Sequence, residues 1–402
     1  MAGPLKGLKV LDLSRVLAGP FAGQILADLG ADVIKVERPG QGDDTRGWGP
    51  PFLRDASGIE TADAAYFLAA NRGKRSLTLD LKHPEGQRIA RDLATGSDIV
   101  LENFKRGGLA PYGLDYDSLK ESNPGLIYCS ITGFGHTGPL ADRAGYDFII
   151  QAMAGLMAIT GDPATGPQKV GVAISDLVTG LYAAIGVLAA LAERQKSGRG
   201  QHIDLALMDC TLSVLANQAT NWLAGGVEPG LSGNAHPNIV PYQVFETVDA
   251  PLVLACGNDA QFRRFAEMTG DRALMDTPAW RTNRGRVQDR ERLCAQIARV
   301  MAARTQADWL AALDAVGVPA GPINPVSTAL NQPQARARDM VVSTLHDAAG
   351  PLDQVASPLR FSRSTVCADR PPPVLGAHSE AVLREAGVSA DAIAELREKG
   401  VL

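Results

Sequence analysis

Strand-like and helix-like segments alternate through the N-terminal third of the chain, and this alternation constrains the fold more than any other feature. Residues 8–13 form a short apolar run carrying Asp12 near its end. Residues 21–29 place apolar side chains at helical spacing and stop at Gly30. The β-branched run 33–36 leads into Glu37-Arg38-Pro39-Gly40, a turn cluster. Residues 76–81 alternate like a strand, 84–93 read as a helix, and 98–101 and 126–131 as buried strands. Repeated β–α–β order predicts an α/β fold with a mostly parallel sheet and helices on both faces.

Two long helical stretches follow, at 146–160 and 176–196, the second stopped by Gly198. A strand is expected at 202–207 and a helix near 211–223. Gly225-Gly226 and Pro229-Gly230 mark the main boundary. Residues from about 241 to about 322 read as a compact α+β unit. It has strands at 243–247 and 252–256 and helices at 261–268, 290–303 and 306–316. From Gln334 the tail returns to short strands and loops, and Pro371-Pro372-Pro373 precedes a final helix pair. A chain of 402 residues is long enough for two or three domains.

Charge narrows the partners. Lys+Arg total 39 against 44 Asp+Glu, a net charge of −5. A sequence-independent nucleic-acid binder needs a basic surface, so that class is disfavoured. Local basic patches can still hold phosphates. The 42 glycines, 25 prolines and only 5% aromatic residues point to tight connections and close backbone approaches. The start of the chain shows no basic region followed by an apolar core. The apolar stretch 181–191 is short for a membrane span and runs into Glu193 and Arg194. The five cysteines have no paired spacing and read as reduced thiols. A cytoplasmic protein without a metal site is expected.

Four motifs carry chemistry. Gly133-Phe-Gly135-His-Thr-Gly138 fits GxGxxG, but Pro139 follows at once and no helix opens there, so a flexible glycine loop at a strand end is the better reading. Near the start, Gly19-Pro20 opens a helix of small residues, whose free N–H groups favour an anion or simply pack on the sheet. Arg38, Arg46, Arg72, Lys74, Arg75, Lys82, Asn103, Lys105 and Arg106 follow predicted strand ends, where a phosphate-bearing ligand would sit. Asp176 heads the second long helix. Position alone allows an N-cap or a carboxylate nucleophile among small residues. His136 and His236 lie in Gly/Asn-rich loops and read as surface or structural residues.

Together these segments resemble one family. Leu11-Asp12-Leu-Ser with Ala18-Gly-Pro20, Gly30-Ala-Asp-Val-Ile-Lys-Val-Glu37-Arg38-Pro39, Asn71-Arg-Gly-Lys-Arg-Ser76 and Leu79-Asp-Leu-Lys82 are similar to the class III CoA-transferases, the CaiB/BaiF family. So are Glu102-Asn-Phe104, the 133–139 loop, Asp176, Gly198-Arg-Gly-Gln201 and the 372–378 stretch.

The resemblance implies a Rossmann-like large domain from both chain ends, 1–224 and 334–402, and a small central domain with linkers, 225–333. It implies an interlocked homodimer, acyl-CoA and carboxylic acid substrates, and no tightly bound cofactor. It makes Asp176 the nucleophile, through an aspartyl mixed anhydride and an aspartyl-CoA thioester. It places CoA against Leu17, Ala18, Arg38, Leu79, Asp80, Lys82, Asn103, Phe104, Lys105, Arg106, Arg143 and Tyr146. Asp147, Asn234 and His236 become substrate-facing candidates.

The departures bear on the substrate. Leu17 stands where formyl-CoA transferases carry Gln, Pro111 where they carry a CoA-contacting Arg, and their small-domain glycine run is replaced by Gly233-Asn-Ala-His-Pro-Asn-Ile-Val-Pro-Tyr242. This points away from oxalate or formate and toward branches using a dicarboxylyl-CoA such as succinyl-CoA, with Arg106 as a replacement charge. Two alternatives share the fold. One is an α-methylacyl-CoA racemase, whose His/Asp pair is replaced here by Tyr146-Asp147, and Tyr is a weak base at neutral pH. The other is a non-catalytic CoA-binding protein.

Overall fold

The structure, a computed structural model, describes residues 3–367 and 369–402. The chain forms two compact units. The first runs through Leu156 and adds Val170–Ala219 and Pro333–Leu402. The second comprises Met157–Lys169 and Thr220–Gln332.

The first unit holds a six-stranded sheet. Its strands lie in the order His202–Ala206, Ile127–Thr132, Ile99–Glu102, Lys9–Asp12, Asp32–Glu37, Arg75–Thr78. Every pairing is parallel, as the β–α–β order predicts. Period two sorts its side chains. Val10, Val33, Leu101 and Cys129 face helices Ala18–Asp28 and Ile174–Ser197, packing on Ala22, Leu26, Ala183 and Val187. Leu11, Ile34, Val36, Leu77 and Val100 face the other way, against Ile89 and Ala90 of helix Pro84–Thr95. Helices Ser379–Glu385 and Ala390–Glu398 complete that second layer with Val382, Leu383, Ile393 and Leu396.

Helix Ile174–Ser197 is long and apolar enough to cross a membrane by length and composition. Here its inner face is instead the core partner of helix Ala18–Asp28. Gly180 makes that crossing close: a Cβ there would lie 2.7 Å from the Ala18 carbonyl oxygen. Gly198, at φ 73°, terminates the helix.

Two expected helices are shorter than the sequence suggests. The 146–160 segment is an α-helix only over Asp147–Met153, ending before Gly155 at φ 84°, and a 3-10 turn at Met157–Ile159 follows. The 211–223 segment is two helices, Leu207–Ser213 and Ala216–Gly225, broken where Ala216 takes φ 48°. Alternation cannot reveal such breaks, because the apolar spacing continues through them. An unforeseen hairpin, Phe52–Arg54 with Glu60–Ala64, follows the second strand.

In the second unit, strands Tyr242–Phe245, Leu252–Ala255 and Ala320–Pro322 form an antiparallel sheet. Its core includes Phe245, Phe262, Phe265, Trp280 and Trp309. The 157–169 stretch, expected in the large domain, belongs here. Its small hairpin is tied to the linker by the Gly233 N–H, which donates to the Gly161 oxygen at 2.9 Å.

Candidate functional site

Asp176 lies in the first turn of helix Ile174–Ser197, and Ala173, not Asp176, is its N-cap residue. The capping reading is therefore replaced: the helix starts before Asp176, and the carboxylate is turned to another segment. The backbone N–H of Ala18, the first residue of helix Ala18–Asp28, lies beside it and favours its ionised form. The close crossing at Gly180 brings the two helix starts together. Burial, and then the negative charge of Asp147, push Asp176 up to about 7, while the Ala18 N–H pulls it down. A carboxylate so placed is poorly hydrated, and its ionised form is correspondingly reactive.

Asp147 is fixed by its neighbours. One of its oxygens accepts the Ser175 N–H at 2.8 Å and the other accepts Gln151 Nε2 at 2.7 Å. Gln151 Oε1 accepts the Val170 N–H at 2.9 Å, and the Thr211 hydroxyl donates to the Ser175 hydroxyl at 2.9 Å. Tyr66 also belongs here. Burial, and then the charges of Asp176 and Asp147, raise its phenol. Its ring meets Trp48 edge-on at 5.3 Å. Sequence reading missed Tyr66, since its apolar neighbours Ala64, Ala65 and Phe67 give no polar signal.

The loop that delivers Ala18 is held from all sides. The Ser14 N–H and hydroxyl both donate to Asp12, and Lys35 Nζ donates to the Ser14 oxygen at 2.9 Å. The Asn103 side chain accepts the Arg15 N–H at 2.9 Å and donates to the Arg15 oxygen at 2.7 Å. Asn103, a CoA candidate from sequence, thus serves this loop directly.

Seven of the other candidates line two pockets. Arg38, Leu79, Asp80, Lys82 and Phe104 line a groove of about 230 Å³ with Tyr112. Arg38 and Arg15 share Asp44, at 3.1 and 2.8 Å. Lys105 and Arg106 instead line a neighbouring pocket of about 340 Å³ with Glu102, His136 and His202. Arg106, expected as a replacement charge, faces Asp142 at 3.6 Å. Arg143 lies over the Phe134 ring, and Tyr146 is exposed ahead of Asp147. Leu17 and Ala18 are buried at the helix start.

Four of the basic residues after strand ends are structural. Arg46 pairs with Glu37 at 2.8 Å and Asp63 at 2.5 Å; Arg72 pairs with Asp28 at 2.7 Å. Lys74 pairs with Asp12 at 2.8 Å, and Arg75 with Asp32 and Glu385. A buried cation needs its carboxylate, so these groups are not offered to phosphate. The 133–138 loop likewise spends donors internally: Gly135 N–H donates to Thr132, and His136 N–H to Asp204.

In the second unit, Asn234 is exposed. His236 packs on Tyr242 at 5.3 Å and accepts the Asn238 N–H on Nδ1 at 3.1 Å. Burial, and then Arg290, lower its pKa and so favour the neutral ring.

Residues 5–379 match the family described as CoA-transferase family III. The chain belongs to that family. It is 50% identical to the succinate–glutarate CoA-transferase of Agrobacterium fabrum, over 95% of each chain. It is 41% identical to the human succinyl-CoA:glutarate CoA-transferase, over 99% of this chain and 90% of that one. A CAIB/BAIF family protein from Brucella suis matches its structure at a TM-score of 0.85 and 50% identity, over 96% of this chain and 100% of that one. This CoA-transferase therefore acts on CoA thioesters, and its parallel sheet is that of the family.

Proposed function

We propose that the chain moves CoA from succinyl-CoA, or a similar dicarboxylyl-CoA, to a dicarboxylic acid, with glutarate the first acceptor to test. One observation carries the chemistry: Asp176 is a partly buried carboxylate at a helix start, beside Asp147 and with the Ala18 N–H favouring its ionised form. The relatives that act on succinate or succinyl-CoA with glutarate support the substrate class.

An Asp176 oxygen attacks the thioester carbonyl and expels CoA thiolate, leaving a mixed anhydride. The thiolate attacks the aspartyl carbonyl, releasing succinate and forming an aspartyl-CoA thioester. The acceptor carboxylate attacks that thioester and expels the thiolate again. The thiolate then takes the acceptor acyl group, and Asp176 is free. Each step exchanges one acyl bond for another, so no oxidant or external proton is required. Dividing the exchange keeps thioester energy from hydrolysis.

Arg38, Lys82 and the 79–82 backbone are the proposed grip on the CoA phosphates and adenosine, with Phe104 and Tyr112 as apolar walls. Asn234 and His236 are proposed to contact the acceptor carboxylate. A homodimer is part of the reading, supported by the exposed stripe Leu181, Ile185 and Leu188 on helix Ile174–Ser197.

A panel of acyl-CoAs against carboxylic acids, read by CoA-ester exchange, tests the substrate. Incubation with succinyl-CoA alone, then hydroxylamine and mass spectrometry, tests the nucleophile. Succinyl-CoA with glutarate should give the fastest exchange and Asp176 the label. Deuterium entry at the α-carbon of a 2-methylacyl-CoA, without transfer, would defeat the reading in favour of a racemase.

A further inference from the structure

Val16 sits two residues before Ala18, whose N–H lies beside Asp176 where the two helices cross at Gly180, and its φ is 71°. Among the described residues only Val16, Ala216 and Asp339 are non-glycine residues with positive φ. A β-branched residue resists this conformation, which persists only where its surroundings over-determine it. The surroundings do so here. The Val16 N–H lies 3.2 Å from both oxygens of Asp43.

Asp43 is itself rigid. Its carboxylate pairs with Lys35 at 2.8 Å, and both side chains are fully buried. It also accepts the Thr45 N–H at 3.0 Å and the Thr45 hydroxyl at 2.8 Å. Its own N–H is tied to Glu37 at 3.0 Å. Lys35, the partner of Asp43, also grips the Ser14 oxygen at 2.9 Å. One buried ion pair therefore clamps both ends of the 14–16 turn. A loop free to relax would return Val16 to negative φ and rotate the following peptides, including the one that supplies the Ala18 N–H.

We propose that Asp43 is a positioning residue for the transfer reaction: by holding Val16 in the left-handed region it aims the Ala18 N–H at the Asp176 carboxylate. The inference rests on the reading of Asp176 as nucleophile. Asp43 touches neither thioester nor acceptor in this role. It acts through the turn.

The test compares Asp43→Asn, Val16→Pro and the double variant Asp43→Asn/Val16→Gly in the full-length protein. Asp43→Asn weakens the clamp. Val16→Pro leaves the Lys35–Asp43 pair intact but removes the N–H it accepts and sets φ near about −65°. It therefore reports on the turn even if Asp43→Asn fails to fold. In the double variant glycine takes positive φ without strain, so the turn keeps its shape with a weakened anchor.

Single-turnover labelling of Asp176 by succinyl-CoA should slow by roughly 10–100-fold in both single variants, a loss of the size expected for one misplaced donor. The loss should fall on kcat, with KM for succinyl-CoA little changed. Without the Ala18 donor the ionised carboxylate is less favoured, so the acidic limb of the profile should move to higher pH. The double variant should recover much of the Asp43→Asn loss. Wild-type labelling rate and pH limb in Val16→Pro would overturn the proposal. So would an Asp43→Asn defect confined to KM. A wild-type chain that forms no adduct on Asp176 would sink the nucleophile reading instead. In that case a ¹³C titration of the Asp176 carboxyl in ligand-free wild type and Val16→Pro still decides the positioning role. Equal midpoints would refute it.

Discussion

The Asp147 carboxylate accepts the backbone N–H of Ser175 at 2.8 Å, one residue before Asp176. Its negative charge thereby stands against the second carboxylate at a fixed place. After burial it is the main influence pushing Asp176 up to about 7. An asparagine can still accept the Ser175 N–H but carries no charge. Asp147→Asn should therefore move the acidic limb of the kcat/KM profile for succinyl-CoA to lower pH. A limb that stays near 7 would mean that burial alone sets the value.

Asp176→Asn should abolish transfer and also raise stability above neutral pH. The sign follows from proton counting. The folded Asp176 binds its proton up to about 7, whereas the unfolded one releases it near the ordinary value of 3.8. Between those values the folded state holds more protons, so the wild type loses stability as pH rises. The amide has no such loss. Thermal unfolding should thus favour the variant at pH 8, with the gap closing toward pH 4. Because Asp176 is not fully enclosed, water screens part of the effect, and a Tm difference of a few degrees is expected.

The parallel sheet was legible because its signal is local. The central strands are β-branched or aliphatic runs, the 75–78 strand shows in its alternation, and helices such as Pro84–Thr95 carry their own period. Asp176 was legible as a candidate but not as a site. Nothing in residues 171–176 reveals that the Ala18 N–H lies beside it, since that approach depends on two helices crossing at Gly180. The basic residues misled for a related reason. Arg46 and Lys74 look like ligands for phosphate until their distant partners, Asp63 and Asp12, are placed beside them. Ion pairs between separate segments leave no periodicity to read.

Arg38 and Arg46 should separate binding from folding. Arg38 is about half exposed at the groove, on a carboxylate that Arg15 also holds. Arg38→Ala should raise KM for succinyl-CoA by roughly 10-fold or more, the scale of one lost charge-assisted hydrogen bond, with little change in stability. Arg46 is buried between Glu37 and Asp63 and stacks on Phe67 at 3.6 Å. Arg46→Ala strands two buried carboxylates and should cost about 3–5 kcal/mol in urea unfolding. CoA affinity of its folded fraction should be unchanged. If Arg46→Ala instead weakens CoA binding without destabilising the fold, its assignment as structural is wrong.

Gly180→Ala tests whether helix approach sets the site. The added Cβ would sit 2.7 Å from the Ala18 oxygen and 3.1 Å from the Phe21 ring, both too close. Overpacking of this kind costs about 1–3 kcal/mol. Helix propensity offsets about 1 kcal/mol of it, since alanine suits a helix interior better than glycine. The net change in unfolding free energy should therefore be modest. The catalytic effect should be larger, because the helices can relieve the clash only by separating at the turn that joins Ala18 to Asp176. Asp176 labelling by succinyl-CoA should fall at least 10-fold, a typical loss when a reacting group is displaced by a fraction of an ångström. Wild-type labelling in a stably folded Gly180→Ala chain would show that the Ala18 contact survives a wider crossing, and that Gly180 serves packing alone.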